Sequence, residues 1–305
     1  MQTRRAAISA EAFVPLLLLA IYLIWGFAYV AVRIAVRDAP PFTVAAGRAL
    51  LAAATLGLAA LALGRPFPRA RRSQLFAAVV GLLNVSGLAG FMSLGLSLVP
   101  AGESSLVTYT QPLQVALLSV VLLHERLTSR QVVGLALGFA GVVVVLLPRL
   151  GGGSAASPLG YAALLVGAFT WALSAVLFRR GPARLLGGDR PVERVDVFWL
   201  VALQAAYGAV PLLAAGVLLE GLHVRWTGDL IWSWLFAGVG AGGVANLLWF
   251  YLLSKRSATV VAAYVFLVPA FAVAFGGVVL GEPITATLAA GGALTLGGIA
   301  LVTRT

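Results

Sequence analysis

The end of this chain repeats its middle, and this repeat constrains the fold more than any other feature of the sequence. Five residues recur at a constant offset of 157: Pro112, Glu125, Thr128, Gly134 and Gly141 return as Pro269, Glu282, Thr285, Gly291 and Gly298. Upstream, Trp25 and Arg33 return as Trp171 and Arg179 at an offset of 146. A chain built twice from one unit is expected to have a pseudo-twofold axis, and in a membrane protein the substrate path tends to lie there.

The composition places the chain in a membrane. Hydrophobic residues make up 61% of it, charged residues only 10%, and the mean hydropathy is +1.02, which together exclude a soluble globule. The apolar runs are about 20 residues long, enough to cross a ~30 Å hydrocarbon core. The net charge of +11 comes almost entirely from arginines that stand between these runs. This distribution favours an orientation signal over nucleic-acid binding.

We predict an all-α membrane protein with ten membrane-spanning helices. The first five spans cover about 13–32, 41–63, 74–98, 104–123 and 130–147, and the second five cover about 159–178, 196–219, 229–253, 257–280 and 284–302. Two five-helix repeats, 13–147 and 159–303, follow from this division. Because five is an odd number, the second repeat enters the membrane in the opposite sense, so the repeats are inverted.

The distribution of basic residues predicts the orientation of the chain. With both termini in the cytoplasm, the only basic residues that fall on the outer side are Arg33, Arg37, Arg149 and Arg225, and Arg48 alone lies within a span. All the others lie on the inner side, as the positive-inside rule requires. We therefore expect a multi-pass protein of the plasma membrane with cytoplasmic termini.

The motif residues resemble a known family. The first half carries Trp25, Arg48, Pro112, Glu125-x-x-Thr128, Gly134 and Gly141, and the second carries Trp171, Pro269, Gly281-Glu282-Pro283-Ile284-Thr285, Gly291 and Gly298. This pattern resembles the EamA unit of the drug/metabolite transporter superfamily, in its ten-helix branch, over nearly the whole chain. The resemblance implies a transporter, and such families include exporters of amino acids and other metabolites as well as importers.

The acidic residues are absent from the middle of the spans. All ten carboxylates fall at a span edge or in a loop: Glu11, Asp38, Glu103, Glu125, Asp189, Glu193, Asp196, Glu220, Asp229 and Glu282. Proton- and sodium-coupled carriers commonly keep a carboxylate at membrane depth. The sequence therefore does not favour a buried proton relay, and leaves facilitated exchange or coupling through an edge carboxylate open.

Glu125 and Glu282 each stand where one predicted span ends and the next begins. A carboxylate in this position accepts hydrogen bonds from the free N–H groups of the following helix and complements its positive end. Pro283 suits the first turn of such a helix, where its missing donor is harmless. We interpret both glutamates as helix caps, with a role in transport as the alternative.

Arg48 is the one ionised side chain within a predicted span, about seven residues below Pro41 and hence roughly 10 Å from the helix end. A charge at that depth needs carbonyls, a carboxylate or water. One hypothesis is that Arg48 contacts the carboxylate of a substrate. The other is that it ties its helix to a neighbouring helix end or to an edge acid such as Glu103 or Glu282.

Pro112 and Pro269 occupy matching positions near the middle of the fourth and ninth spans. Proline removes one intrahelical hydrogen bond and kinks the helix. Kinks at symmetric positions would serve as gating hinges or as static bends around a cavity, and the sequence does not separate these two roles.

Isolated polar and aromatic side chains within the spans predict a substrate pocket. The candidate residues are Trp25, Asn84, Tyr109, Gln111, Gln114, Trp171, Gln204, Asn246 and Tyr264. Gln111 and Gln114 are three apart and therefore share a helix face. Aromatic walls with a few amides suit a neutral or zwitterionic metabolite. The alternative is that the amides form interhelical hydrogen bonds, while small residues such as Gly134 and Gly298 allow close helix packing.

The leading hypothesis is a secondary transporter that exports a small organic metabolite, such as an amino acid, by alternating access through a central cavity. A multidrug or other small-molecule permease is the nearest alternative, and an enzyme or a channel is a distant one. The chain has no cysteine and only two histidines, both in predicted loops, so we predict no metal and no cofactor. Its expected partners are the substrate and the bilayer, as a monomer or a homodimer.

Overall fold

The protein is helical throughout the part of the chain that the structure, a computed structural model, describes: residues 2–150, 157–180, 195–255 and 267–303. The helices are α1 Gln2–Ala35, α2 Pro41–Ala62, α3 71–98, α4 Ala101–Thr108, α5 Gln111–Leu123, α6 Ser129–Leu150, α7 Pro158–Arg180, α8 Val197–Glu220, α9 228–255, α10 Leu267–Leu280 and α11 Ala286–Thr303. Among the described residues, eight helical stretches are long and apolar enough to cross a membrane, counting α4 and α5 as one, and α10 and α11 are apolar and shorter over the residues described. The protein is therefore an all-α membrane protein of about ten helices, as predicted.

Several helix ends follow from local sequence signals. Gly64, Gly221 and Gly281 adopt φ values of +62°, +66° and +67° just beyond α2, α8 and α10, a conformation that side chains with a Cβ rarely adopt. Asp196 caps α8 by accepting a hydrogen bond from the backbone N–H of Phe198 at 2.9 Å. These signals account for the close agreement between the predicted and observed boundaries.

The fourth predicted span is broken rather than kinked. α4 ends at Thr108 and α5 begins at Gln111, so Tyr109 and Thr110 form a turn between two short helices. Pro112 occupies the first turn of α5, where its missing N–H leaves the carbonyl of Thr108 without the usual intrahelical donor. This corrects the prediction that Pro112 kinks a continuous helix.

Two helices contain π-helical segments at matching places in the two halves of the sequence. Residues Leu82–Gly90 in α3 and Leu235–Ala245 in α9 form these segments. The repeat offset of 157 carries 82–90 onto 239–247, which overlaps the second segment. π-Helical turns are frequent at functional sites. The sequence analysis did not predict them.

The most extensive helix contacts join the two halves of the chain, and they are α6 with α11 and α2 with α8. The glycines predicted to allow close packing lie in the α6–α11 seam. A Cβ added at Gly298 would come within 2.4 Å of the backbone nitrogen of Gly138, and one at Gly141 within 2.4 Å of the nitrogen of Thr295. These small residues therefore pack within the protomer.

Candidate functional site

A cavity of about 570 Å³ lies between the helices and is lined by residues of both halves. Besides Glu125, nine of the residues selected from the sequence line this cavity: Trp25, Arg48, Asn84, Tyr109, Gln111, Pro112, Trp171, Gln204 and Asn246. They come from α1, α2, α3, α5, α7, α8, α9 and the turn that separates α4 from α5. The structure thus brings together residues that are up to 221 positions apart, counted from Trp25 to Asn246.

Three described residues selected from the sequence, Gln114, Pro269 and Glu282, lie outside this lining. The amide of Gln114 donates to the hydroxyl of Thr110 at 3.0 Å and is not part of the wall, which corrects its assignment beside Gln111. Pro269 is buried at the start of α10 and Glu282 lies beyond the end of that helix, both outside the lining. Tyr264 lies outside the described residues.

Aromatic rings form much of the cavity wall. The indole rings of Trp25 and Trp249 lie 5.2 Å apart between centroids, and the rings of Tyr29 and Tyr109 lie 6.4 Å apart. The indole N–H of Trp25 donates to the carbonyl of Ala241 in the π-helical segment of α9 at 3.4 Å. A wall of this kind binds apolar or aromatic groups.

Sequence analysis missed Tyr29 and Trp249, although a signal was present. Tyr29 follows Trp25 by four residues and Trp249 follows Asn246 by three, so each lies on the same helix face as a residue that was selected. Extending each selected position by one helical turn would have found both.

Arg48 lines the cavity, and within the described part of the chain two of its three guanidinium nitrogens lack a hydrogen-bond partner. Its Nε and Nη1 atoms are buried, and neither makes a hydrogen bond to any described residue. The acids proposed as alternatives have other partners: Glu282 binds the start of α4, and Glu103 accepts a hydrogen bond from the hydroxyl of Tyr161. The structure therefore gives no support to a purely structural ion pair for Arg48.

The cavity opens at one end of the bundle. Glu125 and Arg126 are exposed and, together with Gln131 and Val302, line its mouth. We call this the open end. Arg65 and Asp196 form an ion pair of 3.7 Å at the end of α2 and the start of α8, and many of the arginines of the chain flank these helix ends.

At the opposite end, glutamates cap helices that are distant in sequence. One carboxylate oxygen of Glu282 accepts from the N–H of Ala101 at 2.8 Å, and the other accepts from Gly102 at 3.1 Å. Glu220 similarly accepts from the N–H groups of Phe42 and Thr43 at 2.9 and 2.8 Å. We call this the capped end, and none of these six residues lines the cavity.

These contacts correct the predicted partner of Glu282. Glu282 caps α4, whereas the helix that follows it, α11, is capped by Thr285, whose hydroxyl accepts from the N–H of Leu288 at 3.1 Å. Likewise the helix after Glu125 is capped by Thr128, whose hydroxyl accepts from the N–H of Gln131 at 3.3 Å. The threonine three residues after each glutamate lies closer to the helix start and takes the local capping role.

The architecture and the cavity together define a class of protein. A bundle of about ten apolar helices, with an amphipathic cavity that reaches one end and is closed at the other, is the architecture of a membrane transporter. Within the described residues no group of three or more histidine, cysteine, aspartate or glutamate side chains is placed to hold a metal ion.

Comparison with known proteins identifies the family. The profile of the EamA-like transporter family matches the chain twice, over residues 12–147 and 158–304, and the protein belongs to this family. It is 32% identical to the uncharacterized transporter YvbV of Bacillus subtilis (strain 168) over 94% of this chain and 90% of that protein. It is 29% identical to a protein named probable amino-acid metabolite efflux pump of Salmonella typhimurium (strain LT2), over 93% and 92% of the two chains. A solved crystal structure superposes with a TM-score of 0.67 at 26% identity over 94% of both chains.

Proposed function

We propose that the protein is a secondary transporter that exports a small organic metabolite, an amino acid or a similar compound, across the plasma membrane. The cavity of about 570 Å³ carries this proposal, because it is reached from one end of the bundle and is closed at the other. Ligand pockets commonly have volumes of roughly 300–1,000 Å³. The name of the Salmonella relative supports export of amino-acid metabolites.

Alternating access is the proposed mechanism. If the two halves are inverted repeats, an exchange of their conformations closes the mouth at Glu125 and opens the capped end at Glu282. The arginine-rich end faces the cytoplasm in this proposal, in keeping with the positive-inside rule. The present conformation would then take up substrate from the cytoplasm, as an exporter requires.

Single-cysteine labelling tests both the topology and the mechanism. The chain has no cysteine, so one introduced thiol is the only one present. In Ala175→Cys the thiol lies in the cavity wall, and we expect a membrane-impermeant maleimide to reach it from either side of the membrane. Ser129→Cys and His223→Cys, both exposed, are controls for the open and the capped end.

Two results would contradict the proposal. If the Ser129→Cys and His223→Cys thiols were labelled from the same side, the crossing pattern would be wrong. If the Ala175→Cys thiol were labelled from one side only under every condition, alternating access would be wrong. Counterflow of labelled amino acids in proteoliposomes completes the test, because a carrier saturates with substrate and a channel does not.

A further inference from the structure

In the described part of the chain, the buried side-chain atoms of cavity-lining residues that lack a hydrogen-bond partner are all donors. Within the described residues, three buried side-chain atoms that belong to cavity-lining residues lack a hydrogen-bond partner: Nε and Nη1 of Arg48 and Nε2 of Gln204. An unsatisfied buried donor is unfavourable, and such groups in native proteins call for an explanation. A ligand that brings acceptor oxygens would satisfy all three atoms.

The two residues occupy matching positions in the two halves of the chain. Arg48 in α2 and Gln204 in α8 are 156 residues apart, within one residue of the repeat offset, and their helices form one of the two most extensive contacts. Each side chain has small or apolar neighbours along the same wall, with Ala45 and Ala49 beside Arg48 and Ala205 beside Gln204.

A second arginine within a helix does have a backbone partner. Arg33 in α1 donates from Nη1 to the backbone carbonyl of Leu96 in α3. The bundle therefore supplies a carbonyl to an arginine that lies outside the cavity lining, and none of the described residues supplies one to Nε or Nη1 of Arg48.

The charge of the cavity interior is positive. Among the described residues that line the cavity, the charged side chains are Arg48, Glu125 and Arg126, and the last two are exposed at the mouth. The guanidinium group keeps its proton at physiological pH and matches the two oxygens of a carboxylate with parallel N–H donors. A single negative charge would therefore neutralise the interior.

We infer that the cavity holds the carboxylate of an organic anion between Arg48 and Gln204, with the apolar body of the anion against the aromatic wall of Trp25, Tyr109 and Trp249. This inference rests on the proposed function and specifies its substrate class. It departs from the neutral or zwitterionic metabolite that the sequence suggested, because no described carboxylate in the interior is available to an ammonium group.

Paired ligands that differ only in charge test the inference. The purified full-length protein is titrated with 3-phenylpropanoate and its neutral amide, with 4-methylpentanoate and its amide, and with phenylalanine as a zwitterion. Binding is followed by tryptophan fluorescence, since Trp25, Trp171 and Trp249 line the cavity. We expect each carboxylate to bind about tenfold more tightly than its amide, and 3-phenylpropanoate more tightly than phenylalanine.

Three variants connect this preference to the two side chains. Arg48→Gln should reduce the preference for the carboxylate to less than about twofold, Arg48→Lys should keep part of it because the charge remains, and Gln204→Leu should weaken carboxylate binding about threefold. Arg65→Gln removes an arginine of the open end that is not part of the cavity wall and should leave the preference unchanged. If Arg48→Gln does not fold, Arg48→Lys and Gln204→Leu test the inference instead.

Each outcome of these titrations either supports or overturns the inferred carboxylate site. Equal binding of acid and amide, no binding of either carboxylate, or an unchanged preference in Arg48→Gln would overturn the inference, and tighter binding of phenylalanine would overturn the preference for an anion. Counterflow in proteoliposomes separates this inference from the proposed function. If acid and amide were transported equally well, the protein would be a transporter but the inferred carboxylate site would be wrong. If the protein bound carboxylates selectively but transported none of them, the carboxylate site would stand and the proposed function would be wrong.

Discussion

The two ends of the bundle carry the same repeated motif and use it differently. At the capped end Glu282 binds the N–H groups of Ala101 and Gly102, which belong to the other half of the chain. At the open end its counterpart Glu125 is exposed and lines the cavity mouth. One sequence element thus closes one end of the cavity and borders the opening at the other.

Long-range capping, and not capping of the local helix starts, therefore distinguishes the capped end from the open end. Thr128 and Thr285 cap their own helices in the same way at both ends. The carboxylates of Glu220 and Glu282 instead bind helix starts about 180 positions away in the sequence. Breaking these contacts should therefore affect the capped end alone.

The largest effect is expected for Glu220→Ala. This carboxylate accepts three hydrogen bonds at the start of α2, from the N–H of Phe42 and from both the N–H and the hydroxyl of Thr43. Their loss leaves donors of a largely buried helix end unsatisfied, and we expect the free energy of unfolding to fall by about 3 kcal/mol. Thermal unfolding in detergent measures the change. Stability equal to that of the wild type would show that these bonds do not hold the capped end.

Glu282→Ala should lower the free energy of unfolding by about 2 kcal/mol, because the N–H groups of Ala101 and Gly102 lose their carboxylate acceptor at a buried helix start. It should also increase labelling of the Ala175→Cys thiol from the capped end. Glu125→Ala is the matched control and should have the smaller effect, since its carboxylate is exposed. Equal losses from the two substitutions would refute the distinction between the ends.

Removing the local caps should have the same effect at both ends. Thr128 and Gln131 form a reciprocal capping box, in which the N–H of Thr128 also donates to the amide oxygen of Gln131 at 2.9 Å. Thr128→Ala and Thr285→Ala should each cost about 1 kcal/mol of unfolding free energy. Thermal unfolding of the pair tests this equality, and a difference of several degrees in melting temperature between them would contradict it.

Structural features that depend on residues near in sequence could be predicted, whereas contacts between residues distant in sequence could not. Helix boundaries followed from proline, glycine and apolar run length, and the position of Arg48 within a span predicted its burial. The partner of Glu282 could not be predicted, since Ala101 is 181 positions away and the local rule pointed to the following helix. The π-helical segments and the break at Tyr109 depend on packing between helices. The apolar periodicity of a single span carries no information about that packing.

The smallest effect is expected for the ion pair at the open end. Arg65 and Asp196 lie 3.7 Å apart, and the arginine side chain is 47% exposed. An exposed pair at this distance contributes at most about 0.5 kcal/mol, and salt screens it further. Arg65→Gln should therefore leave the melting temperature nearly unchanged at both low and high salt. A loss as large as that of Glu282→Ala would mean that the open end is held as firmly as the capped end, and the proposed difference between them would fail.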